Sequence, residues 1–204
     1  MEYTALILFT LATSITPGPN NVMIMTSGAN HGFRKSIPHL LGIDLGFPIM
    51  LIAIGLGAGQ IFQQSPSIFI WLKIIGSLYL TYLAYKIATA PVQNFEAKKA
   101  KPMTFFQAVL FQWVNPKAWI MCIGAVVTYT VAEGSYFQQV LVIALLFFTF
   151  GSPCTVTWLW FGSSLKKVLS NPKYLRAFNL SMGLLLMASL LPVLRDLYAS
   201  FSID

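Results

Sequence analysis

The chain has 204 residues, of which 56% are hydrophobic and 9% charged, with a formal net charge of +7. Soluble domains carry about 25% charged residues, so this chain, with a mean hydropathy of +0.70, has too little charge to coat a surface that faces water. Most of its cations lie in or beside loops between apolar runs, where they set topology and meet anionic headgroups, so the basic balance calls for a lipid bilayer as partner and for no nucleic acid.

Six apolar stretches, 3–26, 38–61, 67–89, 106–129, 138–162 and 176–197, are each long enough to cross about 30 Å of hydrocarbon. The first follows Met1-Glu2, which lacks the basic region of a secretory signal, and no small-residue cleavage site comes after it, so it is expected to stay as a helix. Its middle reads Thr16-Pro17-Gly18-Pro19-Asn20-Asn21. Pro17 and Pro19 have no N–H, so the carbonyls near Thr13 and Ile15 lose their helical partners, and Thr16 and Gly18 are pushed toward extended backbone. Freed backbone of this kind is tolerated at membrane depth only against protein or a water-filled cavity. Pro19 suits the first position of a new half-helix, whose N–H groups around Asn20 and Asn21 would receive a carboxylate, with loose carbonyls beside it for an ammonium or a cation.

His31, Arg34 and Lys35 make the first connection basic. The second span carries Gly42, Asp44, Gly46 and Pro48, and the connection after it has no lysine or arginine. In the third span Lys73 lies near a helix end and is expected to snorkel to the interface. The third connection carries Lys86, Lys98, Lys99 and Lys101 against Glu96. Asn115-Pro116-Lys117 breaks the fourth span as the proline motif breaks the first, and the fourth connection is again without lysine or arginine. Gly151, Ser152 and Pro153 interrupt the fifth span, and Lys166, Lys167, Lys173 and Arg176 follow it.

Basic loops alternate with uncharged or acidic ones, which puts loops one, three and five in the cytoplasm and both termini on the periplasmic side of a bacterial inner membrane. At about 1.5 Å per residue, Pro17 lies about 15 Å deep, Asp44 about 10 Å deep and level with Asn20 and Asn21, and Asn115 to Lys117 about 14 to 17 Å deep. Polar and helix-breaking residues of four spans thus share one central layer. Three spans per half is an odd number, so related halves would be inverted. The expected fold is an all-α polytopic membrane protein, a single domain over 1–204 with a 3+3 inverted repeat at 1–94 and 102–200 and helices broken at the midplane.

The candidate substrate-binding residues are therefore Thr16, Pro17, Gly18, Pro19, Asn20, Asn21, Asp44, Asn115, Pro116 and Lys117, with Gly42, Gly46, Gly151 and Pro153 as hinges. Asp44 reads as an ammonium ligand or proton carrier, and Lys117 as a carboxylate ligand or fixed charge. An ion pair of Asp44 with Lys117 or Lys73 is the structural alternative, since an unpaired charge at that depth costs at least about 2.5 kcal/mol. There is no second deep acid to balance a basic substrate, and Phe47, Trp113, Trp119 and Trp158 are expected to favour a small one. The two histidines sit at the cytoplasmic edge and the spans hold no metal-ligand cluster, which argues against a hydrolase, a metal exporter and any metal cofactor. Cys122 and Cys154 raise a thiol-electron carrier, but their depths differ by about 12 Å, beyond the limit of about 7 Å between Cα atoms for a disulfide. Gly42, Gly46, Gly55 and Gly59 permit close helix contacts within or between chains, a homodimer included.

Thr16-Pro17-Gly18-Pro19-Asn20, the glycines Gly28, Gly32, Gly42 and Gly46, and Asn115-Pro116-Lys117 resemble the signature of the lysine exporter (LysE type) family of bacterial amino-acid exporters, over nearly the whole chain. Asn30-His31-Gly32-Phe33-Arg34, Tyr85-Lys86-Ile87-Ala88-Thr89 and Lys101-Pro102 look closest to its branch that exports cysteine and O-acetylserine. The resemblance implies an exporter of small neutral amino acids driven by the proton motive force, with no cofactor. Threonine, homoserine or a basic amino acid is the alternative cargo. The pattern departs at Phe47, where many family members carry an acid; Asp44 lies three residues earlier on nearly the same helix face, which leaves open whether it takes that role.

Overall fold

A computed structural model describes residues 2–58, 66–89, 102–132 and 134–201. The connection at 59–65, and Glu96, Lys98, Lys99 and Lys101 of the third connection, lie outside the described residues.

Helix α1 (Tyr3–Ile15) stops where the proline motif begins, and α2 (Pro19–His31) starts with Pro19 in its first position. Thr16 is extended at φ −63°, ψ 139° and Gly18 at φ −170°, ψ 178°, the backbone expected of residues that precede proline. A 3-10 turn at Arg34–Ser36 leads into α3 (Ile37–Ala53), which runs through Pro48 and ends in a π turn, Ile54–Ala58. Helix α4 (Pro66–Ala88) has 23 residues, about 34 Å of helix. The second break separates α5 (Phe105–Val114) from α6 (Pro116–Tyr129) at Asn115. Helix α7 (Tyr136–Leu146) passes through a π turn, Phe147–Gly151, into α8 (Ser152–Ser164). Pro153, which cannot donate to the preceding turn, accounts for the disturbed ladder just before it. After a 3-10 turn, Leu165–Ser170, come α9 (Pro172–Ala188) and α10 (Leu191–Phe201).

Arg34–Gly57, Tyr136–Ser164 and Pro172–Arg195 are each long and apolar enough to cross a membrane unaided. The halves α1 and α2, of 13 residues each, and α5 and α6, of 10 and 14, reach that length only end to end. Leu8, Leu78, Phe106, Leu110, Val127 and Trp160 are all more than half exposed, a scale of apolar surface that a bilayer covers and water does not. The protein is an all-α polytopic membrane protein.

The closest helix pairs join the two halves of the chain: α2 packs on α8, α3 on α5, and α4 on α9. Small residues permit the approach. A Cβ at Gly162 would collide with the Met25 carbonyl, one at Gly28 would lie 2.6 Å from the Leu159 carbonyl oxygen, and one at Gly42 2.5 Å from that of Phe105. Gly46 abuts Val109, and Gly55 abuts Val140. Gly42, Gly46 and Gly55 thus serve contacts within the chain, and Gly59 lies outside the described residues. Gly42 and Gly46 sit in an unbroken helix, whereas Gly151 ends a π turn two residues before Pro153. The largest core cluster gathers around Leu6, Met50, Trp119, Cys122, Ile143 and Phe147, on one side of the two breaks.

Candidate functional site

The carbonyls freed by Pro17 and Pro19 are taken up one by one. Thr13 O accepts from Thr16 Oγ1 at 2.9 Å, Ser14 O from Asn21 Nδ2 at 2.7 Å, and Ile15 O from Trp158 Nε1 at 3.2 Å. Thr16 O accepts twice at 2.9 Å, from Asn21 Nδ2 and from Lys117 Nζ. Side chains from α2, α6 and α8 therefore replace the missing helix, as buried backbone at this depth requires. One of these carbonyls, Thr16 O, is occupied by the ammonium of Lys117, which also donates to Thr16 Oγ1 at 2.9 Å.

Asn20 and Asn21 both line the cavity, and their side chains also tie the local structure together. Asn21 bridges two carbonyls of the break. Asn20 Nδ2 donates to Gln112 Oε1 at 2.8 Å, and Gln112 Nε2 returns a bond to Asn20 Oδ1 at 3.2 Å. Gln112 also donates to Ala108 O at 2.9 Å, which fixes its orientation. No side chain caps α2, so the N–H groups of its first turn form the positive end of the helix dipole beside the cavity.

At the second break Asn115 caps α6, accepting from Lys117 N at 3.2 Å, and Pro116 holds the first position. The Lys117 side chain then crosses the face of Gly18, where an added Cβ would lie 2.7 Å from its Cδ and 3.0 Å from its Nζ. With φ at −170°, Gly18 is required here for room and not for its backbone conformation.

Asp44 is buried on α3, with the hydroxyls of Ser152 and Thr155 beside its carboxylate. Ser152 Oγ is buried and has no hydrogen-bond partner among the described residues. Pro48 cannot donate to the Asp44 carbonyl one turn back, so acceptors gather on this side. The described residues show no Asp44–Lys117 ion pair: the Lys117 ammonium donates to Thr16 O and Oγ1 instead. The Lys73 side chain lies outside the described residues.

These groups surround one cavity of about 60 Å³, whose polar wall includes Gly18, Asn20, Asn21, Asp44, Asn115 and Lys117. At roughly 10–15 Å³ for each water-sized group, it has room for on the order of four to six non-hydrogen groups, the core of a small amino acid. Of the expected site residues, Thr16 touches the site through Lys117. Pro17 is exposed, and Pro19 and Pro116 start helices; none of these three walls the cavity. Phe47 lines it, while Trp113, Trp119 and Trp158 do not. Trp119 Nε1 donates to Trp113 O at 2.8 Å, and Trp158 braces the first break. Sequence reasoning passed over Gln112, Ser14 and Thr155. The available signal was spacing: Gln112 precedes Asn115 by one turn and Thr155 follows Gly151 by one.

Cys122 and Cys154 are free buried thiols, and neither lines the cavity. Among the described residues no group of three or more His, Cys, Asp or Glu could hold a metal ion.

The model of the LysE type translocator family matches residues 11–191. The chain is 33% identical over 179 residues to the cysteine/O-acetylserine efflux protein of Salmonella typhimurium, covering 87% of this chain and 90% of that protein. It is 32% identical over 181 residues to the protein of that description from Escherichia coli strain K12, with the same coverage. No solved structure matches the chain.

Proposed function

The chain belongs to the LysE type translocator family, and we propose that it exports small neutral amino acids, cysteine and O-acetylserine foremost, driven by the proton motive force. It is a multi-pass inner-membrane transporter and not an enzyme. The observation that carries the substrate reading is the pair of opposite charges that share the cavity without sharing a bond. A zwitterion complements both. Its carboxylate meets Lys117 and the first turn of α2, and its ammonium meets Asp44, Ser152 and Thr155. A lysine or arginine substrate would bring a further cation that no second acid in the cavity answers, at a cost of at least about 2.5 kcal/mol. The small volume acts in the same direction.

Binding contacts are symmetric in direction, so outward movement rests on the efflux proteins that the chain resembles. Asp44 is the one carboxylate lining the cavity among the described residues, which makes it the candidate for proton coupling as well as for holding the ammonium. The test is overexpression, measuring external accumulation of labelled cysteine, O-acetylserine, threonine and lysine. Cysteine and O-acetylserine are expected to accumulate and lysine is not; an effect on lysine alone overturns the reading. Asp44→Asn is expected to lose export, and normal export at every external pH would remove Asp44 as carrier and as ligand.

The inverted repeat at 1–94 and 102–200 belongs to this reading. It is supported by the helix pairing, since exchanging the halves carries the α2–α8 pair onto α3–α5 at the level of whole spans and returns α4–α9 to itself. The alternation of basic loops supports both termini as periplasmic. Reporter fusions at Ser65 and Lys99 are expected to read periplasm and cytoplasm respectively, and the opposite result inverts the protein.

A further inference from the structure

The cavity is graded along its axis. Helices α3 and α5 run parallel, because Gly42 faces Phe105 and Ala108 while Gly46, one turn on, faces Val109 and Gln112. The fifth span runs against α3, because Phe47 meets Phe147 whereas Gly55, further along α3, meets Val140. On α3 the cavity wall passes from Asp44 to Phe47; on α6 it passes from Lys117 to Met121; on the antiparallel fifth span it passes back from Ser152 to Phe147. Each of these three spans therefore gives its polar group to one level and Phe47, Met121 or Phe147 to the next level in the same direction, whereas α1 and α2 line the cavity with Thr13, Ser14, Asn20 and Asn21. Phe47 and Phe147 close that end, with ring centroids 4.9 Å apart. Behind them Met50, Cys122 and Ile143 are fully buried, so the wall is backed by packed core.

We propose that Phe47, Phe147 and Met121 form the pocket for the substrate's side chain and set its size and apolar character. This rests on the reading of the cavity as an amino-acid site. Once the α-carboxylate and ammonium have taken the polar level, the third substituent on the α-carbon is left facing the aromatic end. The two rings set the limit, because they are held by one another and by the core. Met121 is only partly buried, and its unbranched thioether chain can shift for a longer uncharged group such as an acyl ester.

The test compares labelled serine, O-acetylserine and leucine export by the full chain, normalised to membrane content. Phe47→Ala enlarges the pocket and is expected to raise the leucine-to-serine ratio about tenfold or more; Met121→Phe shrinks it and is expected to lower the O-acetylserine-to-serine ratio by a similar factor, since one or two carbons in an apolar pocket are worth about 10- to 200-fold. If Phe47→Ala fails to reach the membrane, Phe47→Leu is measured against the same ratio. Variants that reach the membrane and export serine with unchanged ratios overturn the pocket. A wild-type chain that exports none of the three overturns the amino-acid site itself, a failure visible before any variant is made.

Discussion

Lys117→Met is expected to lower export at least about fiftyfold while the protein reaches the membrane at its normal level. Lys117 is the cation in the cavity among the described residues, and its ammonium donates to Thr16 O and Oγ1 rather than to a carboxylate. A carboxylate arriving without that ammonium would be an unpaired charge at depth, costing at least about 2.5 kcal/mol, which is between tenfold and a hundredfold in affinity. Folding is expected to survive. Methionine is close in length and apolar, and Thr16 O keeps its bond from Asn21 Nδ2 at 2.9 Å. Lys117→Arg is expected to restore little, because the berth along Gly18 fits a narrow methylene stem and not a planar guanidinium. Uptake into inside-out vesicles separates binding from insertion, and wild-type transport by Lys117→Met would remove the ammonium from the site.

Gly18→Ala is expected to cut export nearly as deeply, through the same lysine. An added Cβ would meet Lys117 Cδ at 2.7 Å, Nζ at 3.0 Å and Cε at 3.4 Å. All three atoms belong to a flexible side chain, and an extended φ of −170° suits alanine, so the chain folds and the lysine moves. Leaving its berth, the ammonium loses both 2.9 Å bonds to Thr16. Two changes that act through one group are not additive. The Gly18→Ala/Lys117→Met double variant should therefore export no worse than Lys117→Met alone. A double variant that is far worse would mean that Gly18 acts on something other than Lys117.

Much of this site was legible because its causes are local. A proline has no N–H wherever the chain goes, so Pro17, Pro19 and Pro116 marked two helix breaks, and α2 and α6 do begin at Pro19 and Pro116. Counting rise per residue brought Asn20, Asp44, Asn115 and Lys117 to one level, and all four line the cavity. Partners were another matter. The polar groups had to be satisfied, yet no local signal tells that the amide of Asn20, a candidate ligand that lines the cavity, is paired with Gln112, 92 positions away. Lys117 was weighed against Asp44 as an ion pair, and its ammonium instead rests on Thr16, 101 positions away. Of the large groups expected to favour a small substrate, Phe47 lines the cavity and Trp158 braces Ile15.

Composition, hydropathy and the prolines thus determined by themselves that the chain lies in a membrane and where its helices break, and counting along the spans grouped its polar residues. These properties follow from the chemistry of one residue or of a single span. Tertiary packing alone decided which polar group answers which, and which of the large side chains face the cavity. Residues about 100 positions apart meet only when α2 docks on α8 and α3 on α5, and the rotation of each helix about its axis, set by where Gly28, Gly42 and Gly162 allow close approach, is a property of the pair and is written in neither segment alone.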